Sequence, residues 1–207
     1  MVRFLIAALF LFGGSLYAQD AQAVANGKRG LPGFDGINWG TDFNAVKERF
    51  KEISSSGQAQ DPLEIVNEAK DRELLVNRGG IFYRYAFYSK PEMLKEKAAE
   101  GQEQQAEQGK FFLMQSNFPP MPTEELYKKL DSKYGARTSS TVNAQLQGAY
   151  VWDLAGGFLI QWVEPYQQKA YTRSLVYISK DLREEMQKDL DKYQYNRELK
   201  NLDKILP

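Results

Sequence analysis

Apolar positions along this chain alternate between two periods, and the changes of period mark out its elements. Ala149–Leu154 and Phe158–Val163 are short runs rich in β-branched and aromatic residues, separated by Ala155-Gly156-Gly157. A glycine pair between such runs predicts a hairpin, because glycine takes positive φ without steric cost. Ser174–Ile178 predicts a third strand, with Leu175 and Tyr177 on one face and Val176 and Ile178 on the other, as in a strand covered on both sides. Ser179 then stands where it can cap a helix. Leu182, Met186, Leu190, Tyr193, Leu199, Leu202 and Leu206 recur mostly three or four apart along that helix. Such a stripe needs a surface to bury it, and the preceding sheet is the expected one.

Upstream, Gly36–Gly40 predicts a short strand, and Thr41 the N-cap of a helix with Phe43, Val46, Phe50 and Ile53 on one side. Leu63–Asn67 and Glu73–Asn77 are weaker strand patterns, and Arg78-Gly79-Gly80 turns the chain into Ile81–Tyr88, its most aromatic run. Ile81, Tyr83, Tyr85 and Phe87 share one face of that strand; Phe82, Arg84, Ala86 and Tyr88 share the other. It reads either as a central strand packed on both faces or as a stacking platform for sugar rings or a partner, with Arg84 adding a cation-π contact. Phe111–Gln115 is again strand. Pro119, Pro120 and Pro122 predict a rigid connector, and Thr123 the cap of a helix with Leu126, Tyr127, Leu130 and Tyr134 inward, stopped by Gly135. Residues 136–147 are polar and predicted as loop.

These elements predict an α+β fold: an antiparallel meandering sheet with helices on one face, built of two similar helix-then-strands halves and ending in a long C-terminal helix. The predicted organisation is a single domain over 37–207 with a polar insertion at 90–110, whose Glu, Gln and Lys residues include almost no large apolar side chain. Residues 19–36 read as a flexible leader; their glycines at intervals of three are too few for a collagen helix.

The first eighteen residues belong to a different pattern. Arg3 precedes an uninterrupted apolar run, Phe4–Phe12, and then small residues up to Ala18. This is the layout of a secretory signal peptide, with cleavage expected after Ala18 and Ala21-Gln22-Ala23 as the alternative site, and the run is well short of the roughly 18 residues of a membrane span. Removing residues 1–18 takes only Arg3 from a chain with 27 basic and 27 acidic residues. A near-neutral balance gives no field for nucleic acid or a membrane surface. The expected location is the periplasm, with the extracellular space as the alternative.

The chain contains no histidine and no cysteine. Thiol nucleophiles, Ser-His-Asp relays and His or Cys metal sites are therefore excluded, and no cofactor or metal is expected. Carboxylates remain. Asp153 and Glu164 flank the Gly156-Gly157 hairpin, where a glycosidase-like pair is conceivable. The acids of the last helix interleave with Arg183, Lys188 and Lys192, as on a solvated face.

Trp39-Gly-Thr41 leading into Phe43 and Val46-Lys47, Leu130 to Tyr134-Gly135, and Val176-Tyr-Ile-Ser-Lys-Asp-Leu182 resemble a loose group of small exported bacterial proteins, several of them from spirochaetes. The resemblance implies export and this order of elements, and carries no functional residues. In spirochaetes it would place the protein beside periplasmic flagella and their coat proteins. The expected function is a non-catalytic interaction or structural module of the cell envelope whose partner is another envelope protein. Its expected contact residues are Tyr83, Arg84, Tyr85, Trp152 and Trp162. A small-ligand or glycan binder is the alternative, and a carboxylate-dependent hydrolase using Asp153 and Glu164 the third reading.

Overall fold

A computed structural model describes residues 29–55, 63–90 and 108–205, with side chains as far as Glu198. The expected signal peptide and most of the polar insertion lie outside the described residues. A two-stranded hairpin, β1 (Gly33–Phe34) and β2 (Ile37–Asn38), leads into helix α1 (Phe43–Ser55). Strands β3 (Leu63–Ala69), β4 (Glu73–Arg78), β5 (Ile81–Tyr88) and β6 (Lys110–Pro122) follow. Helix α2 (Thr123–Tyr134) then precedes β7 (Ser139–Ser140), β8 (Gly148–Leu154), β9 (Gly157–Tyr166) and β10 (Lys169–Ser179), and α3 (Lys180–Ile205) ends the chain.

The eight strands after α1 form one antiparallel sheet in the order β3-β4-β5-β6-β10-β9-β8-β7. Each half is a helix followed by a four-strand meander, and the halves join through their last strands, β6 against β10. The fold is thus mixed α/β and mostly sheet.

Local chemistry accounts for the turns. Gly79 and Gly80 both have positive φ (60° and 79°), as a two-residue primed hairpin between β4 and β5 requires. Gly156 (φ 82°) performs the same service between β8 and β9. The prolines behave differently from the rigid connector expected of them: β6 continues through Pro119, Pro120 and Pro122. Pairing of β6 with β5 ends at Asn117, so beyond that point the β5 side of the strand needs no N–H donor. On its other side the register jumps from Asn117↔Ser174 to Met121↔Thr172, and Pro119 and Pro120 fall inside that bulge. Residues 136–147, expected as loop, contain the two-residue β7, which pairs with β8.

The core lies on one face of the sheet. Leu74, Tyr85, Met114, Tyr177, Leu159 and Trp152 are successive register partners across six strands, and all are buried. Onto this row α1 sends Phe43, Val46 and Phe50, with Phe50 and Tyr85 ring centroids 4.8 Å apart. Leu130 of α2 is also in the core, and Tyr127 of α2 lies 6.2 Å from Trp152, centroid to centroid. The last residues of the glycine-spaced stretch are anchored. Leu31 is buried, its amide bonds Ala155, and Arg29 donates to the carbonyls of Ser132 (2.7 Å) and Lys133 at the end of α2.

The expected caps divide. Ser179 does accept from the Leu182 amide (3.3 Å) at the start of α3. Thr41 instead donates back to the Asn38 carbonyl (2.8 Å). Thr123 is the first residue of α2 rather than its cap; it is buried, with its hydroxyl 3.1 Å from that of Thr172.

The stripe assigned to α3 is not buried along its length. Leu182 is buried, Met186 and Tyr193 are half-buried and Leu190 is 43% exposed. Early turns of α3 reach the sheet's end through Asp189, which accepts from the Tyr88 hydroxyl (2.6 Å), and Glu185, which pairs with Lys90 (3.6 Å). No described helix is long and apolar enough to cross a membrane.

Candidate functional site

Alternation along the strands gives the sheet a second face, opposite the buried row. Its central register row runs Leu75, Arg84, Gln115, Val176, Ile160 and Val151. At the α3 end the face is covered around Phe158, where Lys180 and Arg183 lie over the ring (4.8 and 5.9 Å). Away from that end it is open. Trp162 there is 50% exposed, and Phe82 and Tyr166 are each 42% exposed. Between Trp162 on β9 and Phe82 on β5 lie β10 and β6, so about 14 Å of sheet separates them. Polar groups occupy that interval: the Gln115 amide donates to Ser174 (3.1 Å) and to Asn117 (3.2 Å).

Charge on this face is paired. Arg84 meets Glu73 at 2.6 Å, and Arg173 meets Glu164 at 2.8 Å while also lying 5.8 Å from the Tyr166 ring centroid. All four side chains are substantially solvated, so these pairs order the surface more than they stabilise the fold.

The five expected contact residues do not gather in one place. Trp162 and Arg84 lie on the open face. Tyr85 and Trp152 belong to the buried row and present nothing to a partner. Burial holds the Tyr85 hydroxyl well above the ordinary tyrosine value of 10.0, and Tyr177, two strands along the row, is raised for the same reason. Tyr83 is half-buried on the core side, 6.1 Å from Phe34. There it lines an apolar groove of about 490 Å³ with Phe34, Ser116, Phe118, Leu126 and Tyr177. The groove follows the seam between β6 and β10. Its Phe34 and Leu126 walls, and the exposed Phe82 and Tyr166, are site residues that strand periodicity alone does not single out.

The glycosidase-like arrangement is excluded for Asp153 and Glu164. Asp153 stands opposite Phe158, and Glu164 is six residues further along the same strand. At about 3.3 Å per residue the two are separated by roughly 20 Å, against the roughly 5 to 9.5 Å that carboxylate pairs need. Each is also engaged by a cation, Asp153 by Lys180 and Glu164 by Arg173. Among the described residues no group of three or more Asp and Glu side chains is arranged to hold a metal ion.

Comparisons with known proteins found no matching family model, no matching curated protein and no matching solved structure.

Proposed function

We propose that this protein is a non-catalytic module exported to a bacterial cell envelope, where it binds another protein through the open sheet face around Trp162. One observation carries the reading: an indole 50% exposed on a regular strand, on the same face as the half-exposed Phe82 and Tyr166. Tryptophan is among the residues enriched where binding energy concentrates. Export rests on the Met1–Ala18 pattern. Association with periplasmic flagella follows from the resemblance to exported spirochaete proteins.

The test is site-specific photo-crosslinking in cells. A photoreactive residue at position 162 is expected to give one discrete protein adduct, and one at Lys129, on the solvent side of α2, none. Equal labelling from both positions, or none from either, would remove the proposal.

A second reading, binding of a small apolar ligand, is supported by the seam groove beside Tyr83. An apolar dye is then expected to bind saturably and to be lost on Phe34→Ala, with Trp162→Ala leaving it unchanged.

A further inference from the structure

The second helix-and-meander half carries a cleft that has nothing to do with Trp162. It has a volume of about 640 Å³ and opens at the N-terminal end of α2, between that helix and the β9–β10 turn. Its lining includes Tyr127, Arg137, Tyr150 and Lys169. Tyr150 is the register partner of Gln161, so it belongs to the face opposite Trp162.

The Arg137 guanidinium lies against two adjoining rings, 4.5 Å from the Tyr127 centroid and 4.1 Å from that of Tyr150. Those rings are supplied by different elements, α2 and β8, and lie 5.7 Å apart. Contact with both rings positions the guanidinium, and among the described residues none of its five N–H donors has a hydrogen-bond partner. Among the described residues no carboxylate pairs with Arg137 or with Lys169. The nearby acids are already committed: Glu124 at the rim pairs with Lys128 (2.8 Å), and Asp131 accepts from Trp152 (3.1 Å). Two of the residues lining the cleft, Leu146 and Gln168, have positive φ (61° and 61°), a conformation costly for side-chain-bearing residues.

We propose that this cleft binds a small organic carboxylate, its carboxyl group taken by the edge of Arg137 with Lys169 as a second positive charge. A planar, pre-ordered fork matches a carboxylate through two parallel hydrogen bonds. Glu124 at the rim opposes a doubly charged group such as phosphate. The Tyr127 hydroxyl is taken by Asp131, but the Tyr150 and Tyr171 hydroxyls and the Gln168 amide suit a hydroxylated body, which points to sugar acids as the ligand class.

Calorimetric titration of the full chain with glucuronate, glucose and inorganic phosphate tests this. Saturable binding of glucuronate, none of glucose, and a loss of about tenfold or more in Arg137→Gln are the expected results, since a charge-assisted hydrogen-bond pair is worth that much. Lys169→Gln weakens binding less; Lys169 is exposed and has no ion-pair partner among the described residues, so this variant keeps the test valid if Arg137→Gln fails to fold. Absence of saturable glucuronate binding, equal binding of glucose or phosphate, or affinity unchanged in both variants overturns the proposal. Crosslinking at position 162 is unaffected by either substitution, so the two sites stand or fall separately.

Discussion

The Trp152 indole N–H is shared between the Asp131 carboxylate at 3.1 Å and the Gly135 carbonyl at 2.9 Å, which ties the middle of β8 to the end of α2. Trp162, ten residues on and one strand over, has the opposite environment. Trp152→Ala is therefore expected to cost about 3–5 kcal/mol, as large core truncations do. Trp152→Phe keeps most of the packing but strands the two acceptors, for about 1–3 kcal/mol. Trp162→Ala is expected to cost about 1 kcal/mol or less. Urea midpoints of the three variants check the order.

A second link to α2, from β9, is polar. The buried Gln161 amide donates to the Thr123 carbonyl (3.1 Å) and the Thr172 hydroxyl (2.9 Å). Gln161→Glu removes the donors and buries a carboxylate against an acceptor, so a loss of about 3 kcal/mol or more is expected at neutral pH, diminishing in acid as the group protonates. Gln161→Met is expected to lose only about 1–2 kcal/mol, since the two threonine hydroxyls still have each other. Chemical denaturation at pH 7 and pH 4 separates the two variants.

Stability is expected to fall in alkali. Tyr85 and Tyr177 are raised from 10.0 by burial, so above pH 10 the unfolded chain releases protons that the folded chain retains. Their contribution is complete below pH 10 and is lost as pH rises from there towards the folded values, at about 1.4 kcal/mol per pH unit for each phenol. Absorbance at 295 nm is expected to show two tyrosines ionising only with unfolding. Tyr85→Phe and Tyr177→Phe each reduce the slope of stability against pH.

The β9–β10 turn offers a gain. Gln167 and Gln168 both have positive φ (48° and 61°), the requirement of a primed two-residue hairpin that Asn-Gly meets at least cost. Gln167→Asn with Gln168→Gly is expected to stabilise the protein by about 1 kcal/mol, read as a raised melting temperature.

Strand periodicity alone placed β5 correctly from Ile81 to Tyr88, because a short ring-rich run between Gly79-Gly80 and Pro91 has no competing helical reading. Ser179 was likewise legible as a cap from its position one residue before the helix. Pro119 and Pro120 were not legible as strand residues, since their tolerance depends on where β5 stops beside them. Thr123 looks like a cap in sequence and proves to be a buried hydrogen-bond partner of a residue 49 positions away.

The same division runs through the candidate sites. Trp152 and Trp162 stand in strands of equal apolar character, and only the side on which α1 and α2 dock makes one a core residue and the other a surface residue. The Arg137 contact joins a helix, a loop and a strand, so no spacing announces it. Short-range preferences, carried by backbone sterics and side-chain alternation, were enough to specify the helices and longer strands, though not β1, β7 or the proline-containing end of β6, and composition excluded thiol and imidazole chemistry. Burial, pairing and exposure are properties of surfaces meeting across the chain, and these were decided only when the two meanders joined along β6 and β10.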